Sequence, residues 1–249
     1  MNKLAPALLA VAAGLCALPG VSFAQAPAAS SLAFNVGAVS DYRYRGISQT
    51  RGKPALQGGV DYSRGGFYAG AWASNVKWIK DFGGDADIEV DLYGGFKGEL
   101  TPGVGFDVGV LTYVYPGNKL KPIGGADADT TEIYGALSYG PVTLKYSHAV
   151  TDTFGNLDSD GSSYLDLSAT FDVGGLSVVP HVGHQRISGP LSGPGSYTDY
   201  SLTVSKDFNG VVVSGAVIGT DADKAFYASP VNGKALGKST FVLGVKYNF

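Results

Sequence analysis

Twelve candidate β-strands follow one another from Ala33 to the end of the chain. Large apolar residues recur at every second position where the pattern is clear, as in the last strand, whereas Trp72 leaves the third strand ambiguous. A period of two residues is typical of β-strands whose two faces lie in different surroundings. No linker or change of composition separates these strands, so we predict one all-β domain. The predicted strands are Ala33–Gly46, Ala55–Tyr62, Phe67–Val76, Ala86–Leu100, Val104–Tyr115, Thr131–Tyr139, Val142–Val150, Ser162–Val173, Leu176–Arg186, Tyr197–Phe208, Val211–Gly219 and Lys238–Phe249.

The connections between these strands alternate strictly in length. Those after even-numbered strands are short turns such as Gly140-Pro141 and Asn209-Gly210, in which Gly supplies the positive φ that a tight hairpin needs. Those after odd-numbered strands are longer and polar, for example residues 116–130 and 220–237. An even number of strands, joined alternately by short and long connections, is typical of bacterial outer-membrane barrels, which have short periplasmic turns and longer external loops. We therefore predict a transmembrane up-and-down antiparallel β-barrel of about 12 strands.

The last predicted strand ends the chain with an aromatic residue. Phe241, Leu243, Val245 and Tyr247 alternate with smaller or polar residues before Phe249. This pattern is typical of the closing strand of an outer-membrane barrel, although an ordinary strand of a soluble sheet could also end in this way. We predict that Tyr247 and Phe249 form a membrane-insertion signal, through which the barrel-assembly machinery recognises the C-terminal strand.

The first 24 residues have the organisation of a secretory signal peptide. A basic start at Lys3 precedes the apolar run Leu4–Leu18, and Ser22 and Ala24 are small residues at the positions that a signal peptidase reads. We therefore predict a signal peptide at residues 1–24 and an outer-membrane barrel at residues 25–249, exported through the periplasm. A lipoprotein anchored through Cys16 is the alternative, but a leucine precedes this cysteine where a small residue is wanted.

The composition narrows the function classes. Loss of the signal peptide removes the only cysteine, which excludes disulfides, thiol catalysis and cysteine metal sites. It also removes Lys3 and no acid, so the formal net charge falls from −3 to about −4. Nucleic-acid binding requires a basic face, and we predict none. The chain is rich in glycine and tyrosine, as expected of an antiparallel barrel.

The alternation assigns one face of each strand to lipid. In the fourth strand Ile88, Leu92 and Phe96 share one face, and acidic residues lie on the other. A charge facing the bilayer midplane costs about 2–4 kcal/mol, so we assign the apolar face to outer-membrane lipid and the polar face to the lumen. Pro180 in the ninth strand cannot donate to a ladder and predicts a bulge or a strand end.

Several motifs resemble one known family. Ser40–Gln49 (SDYRYRGISQ), Pro54–Tyr62 and Phe67–Val76 resemble the opening of the TorF porin family, also called the Gcw_chp family, and Glu89–Gly95 continues the match. The resemblance covers essentially the mature chain and is densest from Ser40 to Gly117. It implies an outer-membrane barrel of Gram-negative bacteria with pore function. It carries over no substrate and no catalytic residue.

The charged residues on the inward face form the candidate site. Basic residues of the first strand and acidic residues of the fourth lie at the same external end, so they could face each other across a constriction and set a transverse field. Alternatively, these groups pair into a salt-bridged plug. Acids outnumber bases in the predicted lumen, which predicts a weak preference for cations or neutral solutes. The predicted pore-lining residues are Asp41, Arg43, Arg45, Asp61, Asp87, Glu89, Asp91 and Lys145, with Asp107, Glu132, Asp166, Asp172 and Asp199 as further inward candidates.

Twelve strands predict a narrow passage. Strands about 4.8 Å apart and tilted by about 40° give a backbone radius of about 12 Å, and inward side chains fill much of it. We predict passive diffusion of small polar solutes. The alternative is a non-transporting structural or adhesive barrel with a plugged lumen, whose long loops carry recognition. The loop residues that could carry this recognition are Trp78, Phe82, Phe154, Phe226 and Tyr227. Aromatic residues in loops are equally expected as part of a membrane-interface girdle.

Catalytic and metal sites are not predicted. Ser147 and His148 are chain neighbours and point to opposite faces of a strand, whereas a nucleophile needs its base within hydrogen-bond reach. His181 and His184 also face opposite sides. The aspartates of the long loops lack the spacing of a calcium loop. We therefore expect no enzymatic activity, no metal and no cofactor.

Overall fold

A computed structural model describes residues 30–249, so the predicted signal peptide and Cys16 lie outside the described residues. Most of the described residues form one sheet of antiparallel strands that closes on itself. Its strands are β1 Ser31–Val39, β4 Ala55–Arg64, β5 Phe67–Asn75, β6 Ile88–Thr101, β7 Val104–Val114, β8 Thr130–Tyr139, β9 Val142–Ala149, β10 Ser163–Ala169, β11 Phe171–Val173, β12 Leu176–Arg186, β13 Tyr197–Phe208, β14 Val211–Thr220 and β15 Thr240–Asn248, while β2 Arg43–Tyr44 and β3 Ile47–Ser48 form a separate hairpin.

The sheet is a closed barrel of twelve strands. Each strand pairs with its neighbours along the chain, β15 returns to β1, and β10 and β11 are two parts of one strand that pairs with β12. The closing pair runs from Asn35 opposite Asn248 to Val39 opposite Gly244. Phe34 and Phe249 extend it with two backbone hydrogen bonds. The predicted up-and-down antiparallel barrel of about 12 strands is confirmed.

The short helices lie in the long connections. They are α1 Trp78–Asp81, the 3-10 turn Lys121–Ile123, the 3-10 turn Gly189–Leu191 and α2 Ser192–Gly195. Across residues 30–249, none of the helices is long and apolar enough to cross a membrane.

The two faces of the wall differ as the sequence predicts. Along β15, Phe241, Leu243 and Tyr247 are about half exposed, whereas Val242 between them is buried. Along β6, Leu92 is exposed and the neighbouring Asp91 is buried. Because water does not cover the outside of a barrel in a bilayer, the exposed apolar residues form its lipid-facing surface.

The first strand is shorter than predicted. β1 ends at Val39, opposite Ala55 of β4, and the predicted continuation to Gly46 leaves the wall. Pro54 has no backbone N–H to donate, so the ladder of β4 cannot extend toward a longer first strand. The chain instead folds inward as the β2–β3 hairpin.

Pro180 neither bulges nor ends its strand. The register of β12 on β13 runs without interruption through Pro180, which lies opposite Leu202. The interruption falls instead on the other neighbour, where Thr170 separates β10 from β11. A proline without an N–H removes one ladder bond and leaves its own strand extended, which accounts for a break in the partner.

Candidate functional site

The β2–β3 hairpin enters the barrel after β1 and directs the Arg45 side chain to the opposite wall. It leaves the wall after β1, and β9 is the strand farthest from β1 around the ring. The backbone of its tip, at Gly46, lies close to Asp199 of β13 and Thr220 of β14. The long side chain of Arg45 contacts β8, β10 and β12, which lie next to or near β9.

A tight turn holds Arg45 at the tip of the hairpin. Tyr44 pairs with Ile47, so Arg45 and Gly46 form a two-residue loop with φ values of 46° and 79°. Two consecutive positive φ values define the hairpin turn whose twist matches the flanking strands. A Cβ at Gly46 would lie 2.4 Å from a Thr220 side-chain carbon, so the close approach of the tip to the wall also requires glycine there.

Arg45 is anchored to the far wall by charge and by ring stacking. Its Nη2 donates to Glu132 Oε2 at 2.7 Å, and its Nη1 donates to Gln185 Oε1 at 2.6 Å. The guanidinium also lies over the rings of Tyr44 and Tyr164, 4.7 and 4.2 Å from their centroids. Arg45 and Glu132 are both almost fully buried, so the pair is shielded from solvent at this level of the lumen.

The base of the hairpin carries a second buried ion pair. Arg43 Nε donates to Asp41 Oδ2 at 2.8 Å, and its Nη1 donates to the carbonyls of Gly46 and Lys238. Ser48 Oγ donates to the other oxygen of Asp41. These bonds join both arms of the hairpin to each other and to Lys238, two residues before β15.

The acidic residues of β6 contact tyrosines rather than the arginines. Glu89 accepts hydrogen bonds from the hydroxyls of Tyr42 and Tyr115, at 2.5 and 2.7 Å. Asp91 is fully buried beside this group. Tyr44 of the hairpin meets Tyr113 of β7 hydroxyl to hydroxyl at 2.6 Å. The predicted basic and acidic walls are therefore joined by buried contacts instead of facing each other across open water.

Asp87 lies apart from the other predicted site residues. It precedes β6 and forms an exposed ion pair with Lys80 of α1 at 2.9 Å. Asp85 forms a similar pair with Lys119. The hydrogen bond from each lysine lowers the pKa of its aspartate. Asp172, a further inward candidate, is exposed beside the turn at Gly175.

The lumen on the other side of the hairpin is polar and partly open. Asp61 accepts a hydrogen bond from Tyr93, and Asp107 accepts one from Tyr68. Lys145 lies over the Tyr134 ring, 4.0 Å from its centroid. The structure thus brings Asp61 and Lys145 to the inner wall, as the sequence predicts, and their side chains are only partly buried.

A buried histidine joins two further inward acids. His181 Nε2 lies 2.8 Å from Asp166, and its Nδ1 lies 3.7 Å from Asp199. Tyr164 donates to Asp199 and also contacts His181 Nε2. Among residues 30–249, no group of three or more His, Cys, Asp or Glu side chains could hold a metal ion. Ser147 is buried on the inner wall, whereas His148 stacks on the outward-facing Tyr146.

A cavity of about 440 Å³ lies between the hairpin and the long connections. We call it the vestibule. One wall is the hairpin itself, through Tyr44 and Ile47 to Gln49. The remaining walls come from five of the long connections and the strand ends next to them. The five loop aromatics that the sequence singled out all line this cavity: Trp78, Phe82, Phe154, Phe226 and Tyr227.

Sequence reasoning missed the tyrosines of the site. They occupy inward positions of β5 to β10, where each hydroxyl meets a carboxylate or another hydroxyl. Two of them also lie across glycines on neighbouring strands: a Cβ at Gly70 would lie 2.5 Å from Tyr93, and one at Gly109 would lie 2.5 Å from Tyr134. The alternation of tyrosine and glycine on inward positions is the sequence feature from which these tyrosines could have been predicted.

Comparison with known proteins supports the barrel assignment. The model of the Gcw_chp family, described as bacterial protein of unknown function, matches residues 24–249. No curated protein matches the chain in sequence. The NanC porin superimposes with a TM-score of 0.52 at 12% identity, over 88% of this chain and 99% of its own. The COG4313 outer membrane channel from Pseudomonas putida F1 gives 0.50 at 13% identity, over 93% and 98%. At such identities the likeness shows the fold alone, which is that of outer-membrane porins and channels.

Proposed function

The chain belongs to the Gcw_chp family, and from this premise and its barrel we propose that it is a narrow outer-membrane channel for passive diffusion of small polar solutes. The β2–β3 hairpin is the constriction of this channel. Arg43 and Arg45 hold it, through Asp41 at its base and Glu132 at its tip.

The proposal rests mainly on one observation, which is that the solvent exposure of charged side chains changes along the lumen. At the level of the hairpin, polar and charged side chains such as Arg45, Glu132 and Asp91 are almost fully buried. On the side of the short turns, the charged Asp61 and Lys145 keep part of their surface accessible, whereas the smaller Ser205 and Ser214 are buried there. A solid barrel core would bury polar groups along its whole length. An open tube obstructed by one movable segment has this graded exposure.

The lumen chemistry supports neutral or weakly charged polar solutes. Its accessible part carries both Asp61 and Asp107 and the bases Lys97, Lys145 and Lys246. Most of the deeper carboxylates already have hydrogen-bond or ionic partners within the wall. Charges of both signs along a narrow tube favour solutes with hydroxyl or amide groups and give little ion selectivity.

Export and assembly complete the proposal. Residues 1–24 are removed as a signal peptide on passage through the periplasm. Phe249 and Tyr247 point outward at the end of β15 and stack on each other, with centroids 5.4 Å apart. Phe249 also stacks on Phe34 of β1. An exposed aromatic end that joins the first strand to the last suits recognition by the barrel-assembly machinery.

A non-transporting structural or adhesive barrel is the second candidate. The burial of the hairpin favours it, because Tyr42, Arg43 and Arg45 are almost fully buried. The two candidates differ in whether the hairpin moves, and an experiment that removes the hairpin distinguishes them.

The strand register allows the hairpin to be removed without changing the pairing of β1 with β4. Val39 lies directly opposite Ala55, so a four-residue Gly-Asn-Gly-Ser turn can replace residues 40–54 and still join β1 to β4. The mature wild type and this variant are reconstituted in liposomes, and swelling is measured with sugars of increasing size. We expect slow entry of small sugars in the wild type and faster entry with a larger size limit in the variant.

Three results would count against the proposal. Equal permeability of the two proteins would remove the hairpin from the role of constriction. No entry in either protein would favour a plugged barrel. If sugars do not enter with the wild type but enter fast with the variant, the hairpin is a permanent plug. Heat-modifiable migration in gels verifies that the variant has folded before any of these results is read.

A further inference from the structure

The vestibule combines an apolar lining with a complete lack of charge. Eight of its twenty-two lining residues are aromatic, and none is Asp, Glu, Lys or Arg. Its volume of about 440 Å³ falls within the range of small-molecule sites. A cavity of this kind has to desolvate whatever enters it, and an ion entering it would lose its hydration without gaining a partner.

The aromatic rings of the vestibule are held in place before any ligand binds. Tyr227 donates to the Gly195 carbonyl at 2.6 Å and packs edge-on against Tyr197. Trp78 packs edge-on against Tyr115, and Phe154 packs edge-on against Tyr44. Burial also raises the pKa of the Tyr227 hydroxyl, so this residue stays neutral. Rings fixed by their neighbours bind another ring with little loss of conformational entropy.

Two side-chain oxygens of the vestibule are unused acceptors, and one donor, the buried Nε1 of Trp78, also has no hydrogen-bond partner within residues 30–249. Gln49 Nε2 donates to the Ile47 carbonyl and Asn156 Nδ2 donates to the Thr153 carbonyl. These two bonds determine which end of each amide is oxygen. Gln49 Oε1 and Asn156 Oδ1 have no hydrogen-bond partner within residues 30–249, and both residues line the cavity. A ligand that matches them carries a hydroxyl or another uncharged donor.

We propose that the vestibule binds a neutral small molecule in which an aromatic ring carries a hydroxyl donor, such as an aromatic alcohol or a phenol. The ring lies among the aromatic side chains, and the hydroxyl donates to Gln49 or Asn156. Binding at this site requires no passage through the barrel. That such a molecule then moves past the hairpin as a transported solute rests on the proposed channel function.

The two tryptophans of the chain allow a direct binding measurement. Trp78 lines the vestibule, whereas Trp72 lies in the barrel wall against Tyr42. In a Trp72→Phe background, Trp78 is the single tryptophan. The mature protein is placed in lipid nanodiscs and titrated with 4-nitrobenzyl alcohol, a neutral ring with a hydroxyl that quenches tryptophan on contact. We expect saturable quenching.

Two related probes test the ligand chemistry. 4-Nitrobenzoate has the same ring and a charge, and we expect about tenfold weaker binding or more because the cavity offers no counter-charge. The methyl ether of 4-nitrobenzyl alcohol lacks the donor, and we expect binding weaker by about twofold to tenfold. Equal binding of all three probes would overturn the assignment of the ligand class.

A matched pair of variants tests the location. Ala228 lines the cavity, and Ala225 is exposed on the same loop without lining it. Ala228→Phe fills part of the cavity, and we expect about tenfold weaker binding or more, against less than about twofold for Ala225→Phe. Phe154→Ser removes one ring, and we expect about threefold to tenfold weaker binding.

The outcomes separate this inference from the channel function. Quenching that stays linear, or that Ala228→Phe leaves unchanged, would overturn the vestibule site even if the protein conducts. Saturable quenching that Ala228→Phe weakens, in a protein that admits no sugars, would support the site and reject the channel.

Discussion

The contact of Arg45 with the far wall makes a quantitative prediction about closure. Arg45→Ala removes the ion pair with Glu132, the hydrogen bond to Gln185 and the stacking on Tyr164. Glu132 then remains in a buried site, with the Tyr113 hydroxyl at 3.3 Å as its remaining hydrogen-bond partner within the described residues. Removal of one partner of a buried ion pair typically costs about 3–5 kcal/mol.

This cost falls on the closed position of the hairpin, because the barrel wall retains its own ladder of hydrogen bonds. If the opened hairpin exposes Glu132 to water, the variant loses the 3–5 kcal/mol in the closed state only. Each 1.4 kcal/mol changes an equilibrium about tenfold, so the ratio of open to closed molecules should rise by roughly two to three and a half orders of magnitude.

Single-channel recording in planar bilayers measures this ratio as the open fraction. We expect rare openings in the wild type and a largely open channel in Arg45→Ala. Arg64→Ala is the matched control, because Arg64 is exposed at the short-turn end of β4. In the double variant Arg45→Ala with Glu132→Gln, the unpaired charge of Glu132 is absent. The thermal stability should therefore recover, while the hairpin still lacks its contact with the far wall.

This reasoning requires that the wild type and Arg45→Ala differ in their open fraction. If folded Arg45→Ala shows the open fraction and the unit conductance of the wild type, the tip contact does not hold the constriction. A loss of folding in Arg45→Ala that the double variant restores would still be informative, because the double variant can then be recorded in its place.

Three further predictions concern the wall, the lumen and assembly. Leu202→Arg, on the lipid face of β13, should lower the free energy of unfolding in lipid vesicles by about 2–4 kcal/mol, against about 0–1 kcal/mol for Phe208→Arg at the strand end; equal costs would contradict the assigned membrane depth. Lys145→Gln should shift the reversal potential in a KCl gradient toward cations, and Asp107→Asn should shift it toward anions; unchanged potentials, or clear anion selectivity of the wild type, would contradict the proposed lumen. Phe249→Ser should lower the amount of folded protein in the outer-membrane fraction several-fold, whereas normal levels would reject its role in assembly.

The architecture could be predicted from the sequence because it depends on periodic features. Alternation defined both faces of the wall, and the Gly-containing turns separated the strands. Eleven of the twelve predicted strands agree with the structure within a few residues, and β12 and β13 have the predicted bounds, Leu176–Arg186 and Tyr197–Phe208. Local turn chemistry and a lipid-facing stripe are properties of short segments, so a single sequence contains them.

The constriction could not be predicted in the same way. Asp41, Arg43 and Arg45 alternate with tyrosines, which fits a strand in the wall and a hairpin in the lumen equally well. What distinguishes the two is the absence of a ladder partner on β4 beyond Val39, and this depends on Pro54 in another segment. The partner of Arg45 depends on distance across the barrel, so Glu132 could be predicted as inward-facing but not as the residue that Arg45 reaches.

The polar chemistry of the hairpin argues for a segment that can move. A plug held by apolar packing would lose the full hydrophobic contribution on opening, about 25 cal/mol for each Å² exposed. The hairpin is held by the Asp41–Arg43 and Arg45–Glu132 pairs and by tyrosine hydroxyls. Its apolar side chains also pack in two buried clusters, through Tyr42, Tyr44 and Ile47. Charged groups regain hydration when they leave a buried pair, so such a pair contributes little net stability relative to its solvated state. The ion pairs therefore define one closed position with good geometry and add little to the cost of opening, so that cost comes mainly from the few apolar side chains of the hairpin, which is compatible with a reversible constriction.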